Sequence, residues 1–536
     1  MGGSVRGGTT AHQNETAMRR PLRHRLHALA LGALAAAAGT VTGAPAAAAE
    51  FTWSSQGEPS TMDPHAAATT PVLGFLTNVY EGLVRRGPDM ALEPSLATAW
   101  EPMGTDGWRF HLRRGVTFHD GAAFDAEDVL FSYARASSES SDVQAWFATV
   151  ERVTAPDAFT VEFYTEQPDP LFPSAIANWL IMDAGWAEAN DARRPSREGA
   201  SGATFAANGT GPYRLVRRAP DRATELARFD GWWGEPPAVE RAVFRPLASD
   251  ATRVAALLSG EVDLIEPVPL QDVPRLDREP AVKVLTGTES RVIFFGFDHA
   301  SDGPLADLRV REAIYRTLDA RAIVQRIMRG QAQPAGLLIA PGVRGYEAEA
   351  DMRLPTDRAR ARELLAEAGY GDGFDLRLRC PNDRYINDEA ICTAAVAMLQ
   401  QIGIDATLDA VPVSVYWDEL RQGDFDMYLL GWSPGTFDAE HPIRFLLHTP
   451  DAEAGLGSWN FGGFSNDRID ELLPRIQREL DPQARQAMID EVHAILKEQV
   501  AYVPMHVQPL VWGVREPFTA VQRPDNFIIL RWIGVE

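Results

Sequence analysis

Cysteine and lysine are scarce in this chain of 536 residues. The only cysteines are Cys380 and Cys392. In an oxidising compartment, two cysteines this close in the chain favour a disulfide, which would stabilise the fold by about 2–3 kcal/mol, with a metal site as the alternative. Lysine occurs only at Lys283 and Lys497, and arginine supplies the rest of the basic residues. We interpret that bias as a property of the coding sequence.

Basic charge is in deficit as well. The chain has 74 Asp and Glu residues against 51 Lys and Arg, for a formal net charge of −23. A chain this acidic repels nucleic acid and anionic lipid, and no basic patch rises above that background. We therefore expect no nucleic-acid partner.

After the first 49 residues, no apolar run is long enough to span a bilayer. Residues 1–49 are predicted to be a cleavable secretory signal peptide, because basic residues precede an apolar run at 28–41 and small residues follow it. An uncleaved anchor helix is the alternative, but the run is short and rich in alanine. The Arg19-Arg20 pair leaves the choice between Sec and twin-arginine export open. Since this segment has no cysteine, a diacylglyceryl-cysteine lipoprotein is excluded.

Known catalytic motifs are also missing. The patterns HExxH, GxGxxG and the P-loop do not occur, and the histidines after the signal peptide are scattered singly. A secreted hydrolase is therefore disfavoured, and we predict no catalytic residue, no cofactor and no metal.

The sequence does contain alternating strand and helix patterns, most regularly after residue 291. Strands are predicted at 374–380, 404–408 and 426–431, with helices at 388–402 and 414–422 between them. This order predicts parallel βαβ units covered by helices. Because the mature chain is too long for one hydrophobic core, we expect two or three domains.

An earlier segment predicts a β-hairpin followed by a helix. Side chains alternate from Trp108 to Leu112, Arg114-Gly115 is the predicted turn, and the alternation resumes from Val116 to Phe118. Asp125 is the predicted N-cap of the helix, and Asp128 at the N3 position completes a capping box.

Five motifs carry a resemblance to a known family. They are YEGLVR (80–85), LATAWE (96–101), FHLRRGVTFHDG (110–121), FDAEDVLFS (124–132) and GTGPY (209–213). Their order and spacing resemble those of family 5 extracellular solute-binding proteins, the dipeptide, oligopeptide and nickel receptors of bacterial ABC importers. The resemblance implies an α/β fold with two lobes, a periplasmic binding protein of type II with an extra intermediate domain and mixed sheets covered by helices.

The resemblance also implies that the chain passes several times between domains. Lobe I is predicted at 50–82, 206–290 and 507–536, the intermediate domain (lobe II) at 83–205 and lobe III at 291–506.

The function implied is the capture of a small solute, either a peptide or a peptide-like anionic molecule, between two lobes. A monomeric receptor would then deliver the solute to an inner-membrane ABC permease. Without a lipid anchor, such a receptor must be retained by an outer membrane, which places it in the periplasm. Presentation of the ligand to a sensor or chemoreceptor is the alternative.

Candidate ligand-binding residues lie where predicted strands end, since ligands of open α/β sheets bind at the carboxyl ends of strands. Arg384 and Tyr385 follow one strand and match an arginine and a tyrosine that meet the ligand in dipeptide-binding members. Trp432 follows another strand and matches a tryptophan of those members. Three further candidates are its neighbours Ser433 and Thr436, and Thr69 in lobe I.

One position departs from the resembled pattern. Dipeptide-binding members carry an aspartate three residues after the tryptophan, where it pairs with the free amine of the peptide, whereas this chain has Gly435. Asp438 or Asp63 could substitute for it. Otherwise a ligand with a carboxylate, a phosphate or many hydroxyls fits as well as a peptide. His441 invites a metal site, but a single histidine more often caps or packs.

Overall fold

The computed structural model describes residues 49–196 and 201–536. The predicted signal peptide lies, except for its last residue, outside these ranges. Within them, no helix is both long enough and apolar enough to cross a membrane.

The strands of the described residues are labelled β1 to β19 in chain order. They are Glu50–Ser55, Val84–Arg86, Leu92–Pro94, Ala97–Pro102, Gly107–Leu112, Val150–Asp157, Thr160–Thr165, Tyr213–Ala219, Ala223–Arg228, Arg241–Phe244, Leu264–Glu266, Val282–Phe297, Gln333–Pro334, Asp375–Pro381, Asp405–Val411, Met427–Trp432, Tyr502–Arg515, Phe518–Thr519 and Gly534–Val535.

The α-helices are labelled α1 to α15 in the same way. They are Thr70–Leu76, Ala126–Ala136, Phe172–Ala175, Ala184–Ala189, Gly202–Phe205, Asp250–Ser259, Val273–Leu276, Leu308–Thr317, Ala320–Arg326, Arg358–Glu367, Asp388–Gln400, Val413–Arg421, Glu440–Pro442, Asp467–Arg478 and Pro482–Gln499.

One large mixed sheet runs through most of the molecule, in the order β15-β14-β16-β12-β17-β11-β1-β10-β9-β8. At its centre, β12 and β17 form a long antiparallel pair of 16 and 14 residues. One end of this pair adjoins β11, and its other end adjoins β16. We call the part built on β1 and β8–β11 lobe I and the part built on β14–β16 lobe III, so the central pair belongs to both.

The parallel units predicted after residue 291 are confirmed, because β14 pairs in parallel with both β15 and β16. The helices α11 and α12 connect these strands, as the βαβ order requires. The central antiparallel pair makes the sheet mixed.

A separate four-stranded antiparallel sheet, in the order β4-β5-β7-β6, forms the intermediate domain with α2. The predicted hairpin with its turn at Arg114-Gly115 is wrong. Both edges of β5 are occupied, by β4 on one side and β7 on the other, so Val116 to Phe118 cannot pair with it. In that segment, only Thr117 forms an isolated bridge, to Ala123.

The capping box predicted for α2 is confirmed. The carboxylate of Asp125 accepts a hydrogen bond from the backbone N–H of Glu127 at 2.8 Å. The Asp128 carboxylate in turn accepts one from the backbone N–H of Asp125 at 3.1 Å. Two N–H groups at the helix start are thereby satisfied.

Two of the family-like motifs, YEGLVR and GTGPY, contact each other. Glu81 is buried and accepts hydrogen bonds from Trp232 at 3.2 Å, Trp233 at 2.9 Å and Thr210 at 3.1 Å. Gly209 packs so closely that a Cβ atom there would lie 2.1 Å from the carbonyl oxygen of Val79. Two of the motifs, YEGLVR and GTGPY, therefore act in packing, which requires glycine at the point of contact.

Candidate ligand-binding site

A cavity of about 620 Å³ lies between the intermediate domain and lobe III. The intermediate domain contributes residues from 145–149 and 167–178, and lobe III contributes residues from the loops that follow β14 and β16. Residues of β12 and of the C-terminal segment, together with Ala68, Thr70 and Leu73 near the start of α1, complete the lining. Its volume suits a small organic solute.

Two adjacent strands bring the predicted residues together. Because β14 and β16 are parallel neighbours, their carboxyl ends lie at one edge of the sheet. Arg384 and Tyr385, in the loop after β14, and Trp432, the last residue of β16, all line the cavity. A disulfide between Cys380 and Cys392 ties the base of the first loop to α11.

Arg384 is exposed at the rim of the cavity, with its guanidinium 5.1 Å from the centre of the Tyr385 ring. Within the described residues, its side chain has no ion-pair or hydrogen-bond partner. Tyr385 itself is buried, and its hydroxyl donates to the carbonyl oxygen of Gly431 at 3.3 Å. Arg384 is thus free to receive an anion, but in a more hydrated setting than a desolvated cleft.

The loop after β16 contributes a second set of contacts. The indole N–H of Trp432 donates to Nδ1 of His441 at 3.2 Å, and the hydroxyls of Ser433 and Ser290 lie 2.6 Å apart. Trp432, Ser433 and Thr436 all line the cavity. Thr69 differs, since it is exposed at the N-cap of α1 and is not part of the lining, whereas its two neighbours are.

Contacts across the cavity hold the two sides together. The carbonyl oxygen of Thr436 in lobe III accepts hydrogen bonds from Arg86 at 2.9 Å and from the hydroxyl of Ser174 at 2.8 Å. The Arg86 guanidinium also lies 4.7 Å from the centre of the Phe437 ring. The loop that follows β16 therefore lines the cavity and also binds the intermediate domain on the opposite side.

The central strand pair supplies two lining residues that the sequence analysis missed. Between paired positions of β12 and β17, residues 289–291 lie opposite the single residue Gln508, as a bulge. Arg291 donates to Glu289 at 3.1 Å, and Gln508 donates to the same carboxylate at 2.6 Å. Glu289 and Arg291 line the cavity. Two charged residues directly before the apolar run 292–297 of the same strand were the available signal.

A second charged group in the lining was also missed. It consists of Asp169 from the intermediate domain and Glu440 and Arg444 from lobe III. Burial raises the pKa of both carboxyl groups. An aromatic wall lies beside them, with Trp432 6.0 Å from Phe445 between ring centres.

The two carboxylates considered as substitutes for position 435 are engaged elsewhere. Asp438 is buried and receives two hydrogen bonds from Arg485, at 2.6 and 3.0 Å. Asp63 is buried and forms an ion pair with Arg135. Because a buried carboxylate in a bidentate pair has little capacity left, neither is placed to receive a ligand amine.

His441 lines the cavity, but it stands alone. Burial and the nearby charge of Arg444 lower its pKa to about 3, so the ring is neutral and accepts from Trp432. Among the described residues, no group of three or more His, Cys, Asp or Glu side chains is placed to hold a metal ion.

A model of the middle region of bacterial extracellular solute-binding proteins, family 5, matches residues 91–454. The match covers more than half of the chain. The protein therefore belongs to this family, whose members are binding proteins.

Similar proteins support the assignment over most of the length. The periplasmic murein peptide-binding protein MppA of Escherichia coli K12 is 25% identical over 474 residues, which cover 84% of this chain and 86% of MppA. The glutathione-binding protein GsiB of Salmonella paratyphi A is 26% identical over 462 residues, covering 84% of this chain and 88% of GsiB.

A solved structure shows the same fold. The ABC transporter substrate-binding protein CtaP of Listeria monocytogenes superposes with a TM-score of 0.82 at 20% identity, covering 91% of this chain and 99% of CtaP. The expected α/β fold with two lobes and mixed sheets is confirmed.

Proposed function

We propose that this protein is the periplasmic receptor of an ABC importer, and that it captures a peptide or a peptide-like anionic solute for an inner-membrane permease. The observation that carries the proposal is the cavity between the intermediate domain and lobe III, bounded by contacts that cross it. The names of MppA and GsiB, a murein peptide-binding and a glutathione-binding protein, point to the same class of ligand.

Delivery requires that the permease distinguish a loaded receptor from an empty one. A solute that contacts both sides of the cavity does so only when the lobes are closed, so it shifts the population toward that form. The bulge at 289–291 lies in the strand pair shared by both lobes, and its residues Glu289 and Arg291 line the cavity. It is therefore a suitable hinge between the two lobes.

The proposed ligand contacts on lobe III are Arg384, Tyr385, Trp432, Ser433 and Thr436, with Arg291 as an addition. Thr69 is not retained as a contact, because its side chain is exposed outside the lining. The domain boundaries expected from the sequence, the signal peptide, the absence of a lipid anchor and a monomeric state complete the proposal.

Native mass spectrometry of protein purified gently from its own periplasm tests the function. A small molecule released on denaturation would support the receptor and give the class of the solute by its mass. If the protein is empty, a thermal-shift screen of peptides and organic acids follows, since a ligand at 100 times its Kd stabilises the folded state by about 2.7 kcal/mol. A protein that is empty and unshifted by every compound would contradict the proposal.

A further inference from the structure

The replacement of the usual aspartate by Gly435 leaves open how a ligand amine would be received. Around that position the structure presents three charged side chains of both signs, on opposite sides of one cavity. Asp169 extends from the intermediate domain, while Glu440 and Arg444 lie in lobe III. A site for a lone ammonium group needs only negative charge, so the arginine requires an explanation.

Arg444 has no polar partner in the part of the chain that the structure describes. Among the described residues, its guanidinium forms neither an ion pair nor a side-chain hydrogen bond, and its Nε atom is buried without an acceptor. The guanidinium carbon lies 5.1 Å from the centre of the Phe445 ring. This cation–π contact satisfies none of the N–H donors of the guanidinium. Because Arg444 lines the cavity, its unsatisfied donors are available to an acceptor on a ligand.

The carboxylates beside it differ in this respect. The Asp169 side chain accepts from the hydroxyl of Thr149 at 2.7 Å and from the backbone N–H of Leu171 at 3.0 Å. Glu440 accepts from Gln477 at 2.7 Å. These bonds hold both carboxylates in place, and each retains lone pairs for a further donor.

Charge balance sets what this group can hold. Burial raises the pKa of both carboxyl groups, and the charge of Arg444 acts in the opposite direction. In their ionised forms, the three side chains sum to one negative charge, and neighbouring His441 adds none because its pKa is lowered to about 3 by burial and by Arg444. Asp438 is already neutralised by Arg485. An isolated ammonium would meet the arginine, and an isolated carboxylate would meet the two acids. A group that carries both charges at close range avoids both repulsions.

We propose that Asp169, Glu440 and Arg444 form a subsite for a free α-amino-acid head group, whose ammonium lies against the two carboxylates and whose carboxylate lies against the arginine fork. This inference rests on the proposed receptor function and names its ligand class. Arg384, whose side chain also lacks an ion-pair or hydrogen-bond partner within residues 49–196 and 201–536, receives a second carboxylate at the other end of the ligand. Such a ligand is linked through its side chain, as in a γ-glutamyl peptide, because an ordinary peptide bond consumes the α-carboxylate of its first residue.

The test uses three probes that differ by one charged group, measured by isothermal titration calorimetry on the full mature protein. They are γ-glutamyl-alanyl-glycine, 4-aminobutyryl-alanyl-glycine, which lacks only the α-carboxylate, and N-acetyl-γ-glutamyl-alanyl-glycine, which lacks the ammonium charge. We expect the first probe to bind at least tenfold more tightly than either of the others.

Substitutions then assign each group to its partner. In Arg444→Gln, the first two probes should bind equally within about twofold, because the variant no longer recognises the α-carboxylate. In Glu440→Gln, the advantage of the free ammonium over its acetylated form should fall instead. Arg421→Gln removes an exposed arginine outside the cavity and should leave all three affinities unchanged. Circular dichroism spectra and melting temperatures confirm that each variant is folded.

Equal binding of the first two probes to the wild-type protein would overturn the subsite, as would a tenfold difference that persists in Arg444→Gln. If the wild-type protein binds none of the three but binds alanyl-alanyl-glycine or a co-purified solute, the subsite fails and the receptor function stands. If it binds nothing, both fail.

Discussion

Two sets of arginines in this protein have opposite surroundings. Arg485 and Arg135 are buried and paired with Asp438 and Asp63, so their charges are satisfied within the scaffold. Arg384 and Arg444 line the cavity and have no polar partner among the described residues. The comparison shows that residue type alone does not reveal a ligand contact. In Arg384 and Arg444, the charge available to a solute is one that the described residues have left unpaired.

The largest expected effect comes from breaking a scaffold pair. Arg485→Ala leaves the buried Asp438 without its bidentate partner, and we expect a loss of about 3–5 kcal/mol in the free energy of unfolding. Urea denaturation of the ligand-free protein measures it. Arg421→Ala, which removes an exposed arginine, serves as the control and should change stability by less than about 1 kcal/mol. Equal losses in the two variants would remove the distinction between scaffold and surface arginines.

The disulfide at the base of the cavity loop should have the next largest effect. Replacing both Cys380 and Cys392 by alanine frees a loop with a sequence separation of 12, and we expect a loss of about 2–3 kcal/mol in the free energy of unfolding. The same denaturation experiment measures it, with wild-type protein under reducing conditions as a comparison. An unchanged midpoint would show that the bond does not stabilise the folded state.

Lowering the pH should decrease the free energy of unfolding through protonation of His65. This ring is buried against Arg135, with Nδ1 3.0 Å from the guanidinium, and burial followed by that charge lowers its pKa to about 3. Because the unfolded-state pKa is about 6.5, the contribution of the neutral ring is complete above that pH and is lost as the pH falls toward 3, by about 1.4 kcal/mol per pH unit.

The variant His65→Gln cannot gain this proton. We expect its free energy of unfolding to fall less steeply than that of the wild-type protein between pH 6.5 and 4. A slope equal to that of the wild-type protein would contradict the assignment of His65.

The smallest expected effect is that of Arg384. Because its side chain is exposed at the rim, Arg384→Ala should weaken the binding of an anionic ligand by only about 0.5–1 kcal/mol and leave stability unchanged. Calorimetric titration with γ-glutamyl-alanyl-glycine measures the first change, and thermal unfolding the second. A loss of stability as large as that of Arg485→Ala would place Arg384 with the scaffold arginines.

Much of the fold was predictable from local patterns. The capping box at Asp125, the parallel order of β14 to β16 and the convergence of loops at one sheet edge follow from residue periodicity and from the geometry of parallel strands. The hairpin with its turn at Arg114-Gly115 was wrong, because the alternation of β5 marks a strand without naming its partners. Those partners are β4 and β7, the second of which lies far along the chain.

Within the candidate site, we could predict Arg384, Tyr385 and Trp432 because each lies near the end of a predicted strand. A strand end can be recognised from residues that are neighbours in the sequence. Position relative to a strand end could not locate Asp169 or Arg291, which reach the cavity from the intermediate domain and from the central strand pair. Nor could it show that Asp438 is neutralised by Arg485, 47 positions away.

The sequence by itself determined the family, the α/β class and one side of the cavity, because motifs, periodicity and strand ends are properties of neighbouring residues. Only the tertiary structure decided which charges remain for a solute. An ion pair forms between side chains that are close in space. The sequence does not reveal that Asp63 lies beside Arg135, or Asp438 beside Arg485, because the partners are far apart along the chain.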